Sequence, residues 1–471
     1  MKYTLERSND YLVGHSGKIG RQYRPRYHLA PPVGWMNDPN GVCLYRGALH
    51  VFYQYYPYDS CWGPMHWGHA ATQDNCVFRH YPVALAPDRE DESGCFSGGA
   101  VINKDNPDEL FLLYTRHYEK GEIRREVQAL ASSSDGVHFH KEDPPVIEDS
   151  SLPEGCTGRD FRDPNPVLIG GEYFVFVGTK NAEGQGQVLV YSSSDGKTFR
   201  YRNSIFSPWF GRMAECPDFF RLDGKDVLLV SAIRAPEEAH RFRGCNSSLY
   251  LIGSFDSKTC TFTAENCDEI DGGHDFYAPQ TCEDGEGRRV MVAWMDMWEK
   301  EYFLHRNAHG YSGALTYPRT LSVRNGLLYQ SPALGVEKYR VPVDFSRPVS
   351  GCLDLTLTLK EGSVVALSRP GDPGDALRFG MRGGRFRVDL SGLKNAPQGV
   401  RDSRFVYGRE TQVRALVDMS SVELFVDGGR ETFTERFFIE GGKLSLELKN
   451  AEMVEGYGLE LPEEDFRIAL E

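Results

Sequence analysis

The chain has 471 residues, 40% of them hydrophobic and 12% aromatic, and carries a formal net charge of −14. That is ample for a packed core, and the acidic balance argues against nucleic acid or an anionic membrane as a partner. No window approaches the roughly 18 consecutive apolar residues of a membrane span. The first thirty residues lack the apolar stretch of a signal peptide, and eleven cysteines without a C-x-x-C pair suit free thiols. The expectation is a cytoplasmic protein.

Residues 1–29 read as a charged and polar N-terminal extension. Next comes Trp35-Met36-Asn37-Asp38-Pro39-Asn40-Gly41, a carboxylate between an amide and a proline. Pro39 biases Asp38 toward extended geometry, and Asn40-Gly41 supplies turn chemistry. The pattern returns in Arg162-Asp163-Pro164-Asn165 and in Glu215-Cys216-Pro217-Asp218. One such site reads as a surface turn. Three, each followed by an apolar strand-like run, read as one device used three times.

A second repetition runs through the same region. Ser132-Ser133-Ser134-Asp135-Gly136-Val137-His138-Phe139 returns as Ser192-Ser193-Ser194-Asp195-Gly196-Lys197-Thr198-Phe199, with weaker echoes ending at Phe78 and Phe262. The phenylalanines at 78, 139, 199 and 262 stand 61, 60 and 63 residues apart. Each copy reads as a strand, a polar turn and an aromatic returning to the core. Apolar runs of strand length lie between them, at Ala48 to Tyr55, Leu110 to Thr115, Tyr173 to Gly178, Val227 to Ile233 and Arg289 to Trp294. Strands in groups of about four on this period predict a β-propeller over 30–337, with room for five blades.

Near residue 338 the beat gives way to clean alternation. Leu353-Asp354-Leu355-Thr356-Leu357-Thr358-Leu359 places every leucine on one face. Phe386 to Val388, Val422 to Val426 and Leu444 to Leu448 behave alike, so 338–471 reads as a β-sandwich. The fold class is therefore all-β, a five-bladed β-propeller with a C-terminal β-sandwich. The sandwich reads as a stabilising module, or one through which copies form a homo-oligomer.

The innermost strand of every blade lines one central funnel, so Asp38, Asp163 and Glu215 converge if each opens its blade. Crowded like charges and desolvation raise the pKa of one member. One acid then stays protonated while another is ionised, the division that glycoside hydrolysis uses.

At these residues the chain resembles glycoside hydrolase family 32, the invertases, sucrose-6-phosphate hydrolases and fructan hydrolases. The matching pieces are Trp35 to Gly41, Phe52 to Tyr55, Trp62 to Ala70, Cys95 to Gly98, Phe161 to Pro164, Glu215 to Asp218, Asp275 to Gln280 and, in the sandwich, Ser420 to Val426. The resemblance implies a β-fructofuranosidase that retains configuration at fructose C2. Asp38 is then the nucleophile, Glu215 the general acid and later base, and Asp163 the holder of fructose hydroxyls. Retention sets the nucleophile and acid roughly 5–5.5 Å apart. Asp163, next to Arg162, is expected to stay ionised. Asn37, Gln54, Ser97 and Arg162 are the family's positions for fructosyl hydroxyls. Trp35, Trp62, Phe96 and Trp294 are expected to offer flat surface to sugar, with Tyr277 and Gln280 on the same wall.

No metal or other cofactor is implied. His66-x-x-His69 and His305-x-x-x-His309 have metal-compatible spacing, yet the first lies inside a motif of the resemblance and the second needs a longer helix than Gly310 and Gly313 favour. The leaving group stays open. Sucrose, sucrose 6-phosphate and short fructo-oligosaccharides all present a β-fructofuranosyl end, and a non-catalytic fructan-binding protein is the alternative from another class. A phosphate calls for Lys or Arg at the rim, for which Lys300, His305 and Arg306 are the candidates.

Overall fold

In the computed structural model, which describes residues 3–469, the apolar runs become the second strands of five four-stranded antiparallel sheets. The first blade is Gly34–Tyr45, Ala48–Tyr56, His66–Thr72 and Arg79–His80, and the second Gly94–Ile102, Leu110–Lys120, Ile123–Ser133 and His140–Lys141. The third is Phe161–Ile169, Glu172–Lys180, Gly186–Ser193 and Arg200–Phe206. The fourth is Met213–Leu222, Lys225–Ile233, Asn246–Asp256 and Thr261–Glu269, and the fifth Tyr277–Glu283, Arg289–Trp294, Arg319–Arg324 and Leu327–Pro332. The first strands of successive blades touch one another around the ring. The ring closes where Tyr311–Ser312, from the fifth blade, pairs in parallel with Gly34 and Trp35 of the first.

The repeated Ser-Ser-Ser-Asp-Gly segments are the turns from third to fourth strand. Asp135 Oδ1 accepts from the backbone N–H groups of Val137 and His138, each at 2.8 Å, and Asp195 Oδ1 does the same for Lys197 and Thr198 at 2.9 and 2.7 Å. The carboxylate replaces the ladder partner that the turn removes. Phe139 and Phe199 then fold back into the layers between blades. Those layers are the core: Phe174, Val188 and Leu228 between the third and fourth blades, Phe220, Leu229 and Met291 between the fourth and fifth, and Trp35, Val51 and Trp294 between the fifth and first.

In the sandwich, Leu353, Leu355, Leu357 and Leu359 are all fully buried, as the alternation requires. Strand Leu353–Arg369 pairs with Glu410–Asp418 along its first half and with Asp372–Arg382 along its second. It thereby passes from one packed sheet to the other. Lys443–Leu459 follows it along both halves, with register breaks between Thr356 and Leu357 and between Leu359 and Val364.

The N-terminal extension is not all irregular. Helix Leu5–His15 is capped by Thr4, whose hydroxyl accepts from Arg7 N, and polar composition had hidden it. Beyond this helix, His28 joins the domains. Its Nδ1 bonds Asp418 and its Nε2 bonds Glu423, both at 2.8 Å and all three side chains buried. Arg319, also fully buried, donates to Asp271 at 3.0 Å and to Glu423 at 2.7 Å. The propeller and the sandwich are therefore clamped by buried charge.

Candidate active site

All five innermost strands break register near the end at which they begin. One residue is extra between Met36 and Pro39, between Phe96 and Gly98, opposite Phe176/Gly178, between Glu215 and Asp218, and between Tyr277 and Gln280. A bulge turns a side chain that would otherwise follow the pleat. Proline suits it because a bulge needs no ladder donor. Asp163, Cys216 and Ala278, each just before a proline, take positive φ of 66°, 44° and 51°, a conformation non-glycine residues rarely adopt. Their N–H groups are bonded across blades, Asp163 N to Thr115 Oγ1 at 2.9 Å, Cys216 N to Asp163 Oδ2 at 3.0 Å and Ala278 N to Ser231 Oγ at 3.1 Å. The ring holds the strain in place.

The bulges bring Asp38, Asp163 and Glu215 to the floor of one funnel of about 310 Å³, lined also by Asn37, Gln54, Ser97, Trp62, Phe96, Arg162, Arg124 and Trp298. The Cys216 thiol lies 3.6 Å from both Asp38 Oδ2 and Asp163 Oδ2. Ser97 donates to the same Asp38 oxygen at 2.9 Å, whereas Asp38 Oδ1 has no partner among the described residues. Glu215 is gripped from two sides. Arg162 donates to Oε1 through Nε at 3.2 Å and Nη2 at 2.8 Å, and the Tyr277 hydroxyl donates to Oε2 at 2.8 Å. Arg162 is itself steadied by Glu126 and Asp160, both at 3.3 Å.

Burial, reinforced by the charge of Glu215, lifts the Asp38 carboxyl to about 6, against the neighbouring Asn37 amide and the Ser97 hydroxyl. Asp163 goes further, to about 8, again chiefly through burial, with Arg162 opposing and Glu215 and Asp38 adding to the rise. The expectation that Arg162 keeps Asp163 ionised is thus reversed. Neighbours along a strand face opposite ways, and the guanidinium spends its donors on Glu215 and Glu126 instead.

The aromatic wall also differs from expectation. Trp35 and Trp294 are fully buried behind the funnel, 6.0 Å apart edge to face. Trp35 Nε1 donates to Asn37 Oδ1 at 2.7 Å, so the indole positions an amide and presents no face to the cavity. The faces on the funnel belong to Trp62, half exposed at the rim, to Phe96, stacked on His117 at 4.0 Å, and to Trp298. Tyr277 enters through its hydroxyl alone. Gln54 donates to Cys95 O at 3.0 Å. Gln280 is buried away from the funnel lining, donating to Gly98 O at 2.8 Å.

The three rim cations expected from sequence are not on the funnel. Lys300 is ion-paired to Asp275 and Asp296, His305 bonds Ser60 at 2.9 Å, and Arg306 bonds Glu301 at 2.7 Å. Lys300 and Arg306 line a separate cleft of about 740 Å³ against the sandwich. His66 and His69 turn to different partners: His66 bonds Pro64 O at 2.8 Å, whereas His69 bonds His50 at 2.9 Å. Asp59, Cys61 and His305 do bring three ligand-type atoms together, in a largely exposed group. Sequence reasoning missed Arg124 and Trp298, although Trp298 lies four residues beyond Trp294 in an aromatic, methionine-rich run.

Comparison with known proteins agrees with this geometry. Residues 28–332 match the Glycosyl hydrolases family 32 N-terminal domain, and 379–456 match the Glycosyl hydrolases family 32 C terminal domain. A raffinose invertase of Escherichia coli is 34% identical over 470 residues, covering 95% of this chain and 96% of the relative. A sucrose-6-phosphate hydrolase of Bacillus subtilis is 32% identical, covering 88% and 89%. Among solved structures, a family 32 β-fructofuranosidase of Bombyx mori superposes with a TM-score of 0.85 at 32% identity, over 96% of this chain and 97% of that one. Two adjoining matches in the family's order, on a propeller whose acids meet at one floor, leave a single assignment: the chain belongs to glycoside hydrolase family 32.

Proposed function

We propose that the protein is a retaining β-fructofuranosidase that cleaves the fructosyl bond of sucrose or sucrose 6-phosphate. The observation that carries this reading is the meeting of Asp38, Asp163 and Glu215 on one funnel floor, with Asp38 held through Oδ2 by Ser97 and the Cys216 thiol. A carboxylate immobilised beside a second, separately held acid is what double displacement at an anomeric carbon needs. As a carboxylate oxygen of Asp38 bonds to fructose C2, the C2–oxygen bond breaks and Glu215 gives its proton to the departing oxygen. Glu215 then takes a proton from water, whose oxygen displaces Asp38 from C2. Two inversions return the β configuration.

Arg162 and Tyr277 fix the acid on opposite oxygens, so its proton is exchanged within a set geometry. Asp163 holds its Oδ2 on Cys216 N and makes no protein bond through Oδ1 among the described residues. That leaves one oxygen for the hydroxyls of the fructose ring. Asn37, Gln54 and Ser97 line the same floor, while Trp62, Phe96 and Trp298 offer apolar faces further out.

Both substrates have support among the relatives, which include a raffinose invertase and sucrose-6-phosphate hydrolases. The Bombyx mori enzyme has been crystallised as a mutant with sucrose. Eleven unpaired thiols fit the cytoplasm, where phosphorylated sucrose would be met. Light scattering reads whether the sandwich joins copies of the chain. The decisive experiment is hydrolysis of sucrose, sucrose 6-phosphate and kestose side by side, with the first-formed fructose followed by NMR. Release of β-fructofuranose from either sucrose is expected. An inverted product, or no turnover of any of the three, refutes the reading.

A further inference from the structure

A phosphorylated leaving group brings a charge of about −1.5 to −2 at neutral pH into the funnel of a protein that already carries −14. Binding it calls for a cation with spare donors. Two cations line the funnel, Arg124 and Arg162. Arg162 is committed: two of its N–H groups hold Glu215 and a third reaches Glu126 and Asp160. Diverting it would release the acid.

Arg124 is placed differently. It begins the third strand of the second blade beside Ile123, which is 63% exposed, and its own side chain is 30% exposed. Its Nη2 donates to Glu126 Oε1 at 2.9 Å and lies 3.9 Å from Asp160. Nη1 and Nε donate to nothing among the described residues, Nε being screened from solvent as well. Glu126 has no capacity to take more. Its Oε1 also accepts from His117 at 3.1 Å, and its Oε2 accepts from Phe161 N at 2.9 Å and from Arg162. Asp160 is already shared with Lys180 at 2.8 Å and Arg162. The guanidinium is therefore anchored through Nη2, and Nη1 is the group left without structural employment.

Its position fits a leaving group. Glu126 bridges Arg124 to Arg162, and Arg162 holds the carboxyl that protonates the departing oxygen. Arg124 thus stands next beyond the clamp on the acid, on the lining of the same funnel. Resting on the proposed function, we infer that Arg124 is the binding residue for the 6-phosphate of sucrose 6-phosphate, and so sets the preference between the phosphorylated and the free disaccharide.

The test compares kcat/KM for the two substrates in the wild type, Arg124→Met and Arg124→Lys. Charge-assisted hydrogen bonds of this kind translate into roughly 10- to 100-fold in affinity. The ratio of kcat/KM for sucrose 6-phosphate over sucrose is expected to fall by that factor in Arg124→Met, through KM, and to recover in part in Arg124→Lys. Added salt should raise the wild-type KM for the phosphorylated substrate alone. An unchanged ratio, including equal losses on both substrates, overturns the inference, because Arg124 would then serve only the Glu126–Arg162–Glu215 chain. A wild type at least tenfold poorer on sucrose 6-phosphate overturns it too, while leaving the proposed function intact. Should neither disaccharide be cleaved, the proposed function fails by itself. Titration with glucose 6-phosphate against glucose then decides Arg124 directly, and equal binding by wild type and Arg124→Met refutes it.

Discussion

Replacing Asp38 by asparagine should make the protein both inactive and more stable, and the size of the gain follows from the site. Burial lifts this carboxyl from 3.8 to about 6 in the folded chain. Below about pH 4 it is protonated in both folded and unfolded states and contributes nothing. Above about pH 6 it is ionised in both, and the folded state bears the whole cost of holding the charge. A rise of about two pKa units corresponds to about 3 kcal/mol. The amide of Asp38→Asn would never ionise and could still accept from Ser97, so the gain should be absent near pH 4, grow up to about pH 6 and stay level beyond it. At about 1.5 °C per kcal/mol for a domain of this size, the melting midpoint should rise by about 5 °C at neutral pH. Turnover should fall at least a hundredfold, since no other group can attack C2. Calorimetry at two pH values and a sucrose assay suffice. A variant that melts at or below the wild type at neutral pH refutes the electrostatic argument, and one that keeps more than about a hundredth of the activity refutes the nucleophile.

Ser97→Ala removes a donor that favours ionised Asp38, so the acidic limb of kcat/KM should move up by about one pH unit. A lower plateau with an unmoved limb would mean that Ser97 touches substrate without tuning Asp38. Glu215→Gln should damage sucrose cleavage far more than cleavage of activated aryl fructosides, which leave without a proton; equal damage reassigns the acid. Arg319→Met should cost about 3–5 kcal/mol by leaving Asp271 and Glu423 buried without their cation. An unchanged thermal midpoint would show that the Arg319 ion pairs contribute nothing to the joint between the domains.

Much of the architecture was legible because it is periodic. Asp135 and Asp195 mark equivalent turns because each must accept from two successive N–H groups, and a residue type under that demand recurs at the spacing of the blades. The leucines at 353, 355, 357 and 359 announce a strand for the same reason, since one face is buried along its whole length. Helix Leu5–His15 went unread because it is held by contacts distant in sequence. Ser8 Oγ lies 3.0 Å from Tyr58, and Asn9 accepts from Val83 N. A short helix stabilised from outside needs no strong pattern of its own.

The site divides along a similar line. Backbone demands leave a trace in sequence, which is why Pro39, Pro164 and Pro217 mark one repeated device before any coordinates exist, and each proves to lie at a bulge. The direction of a side chain leaves none. Arg162 adjoins Asp163 in sequence, yet it serves Glu215 in the next blade, 53 positions away. Trp35 stands three residues from Asp38 and lies behind the wall, whereas Trp298 reaches the front from the fifth blade. Adjacency along a strand separates side chains to opposite faces, and a bulge reverses that rule locally. Partners in a propeller are therefore best sought at equal depth in neighbouring blades. Arg124 illustrates the point: nothing around it in sequence suggests a sugar, and only Glu126, shared with Arg162 of the next blade, ties it to the chemistry.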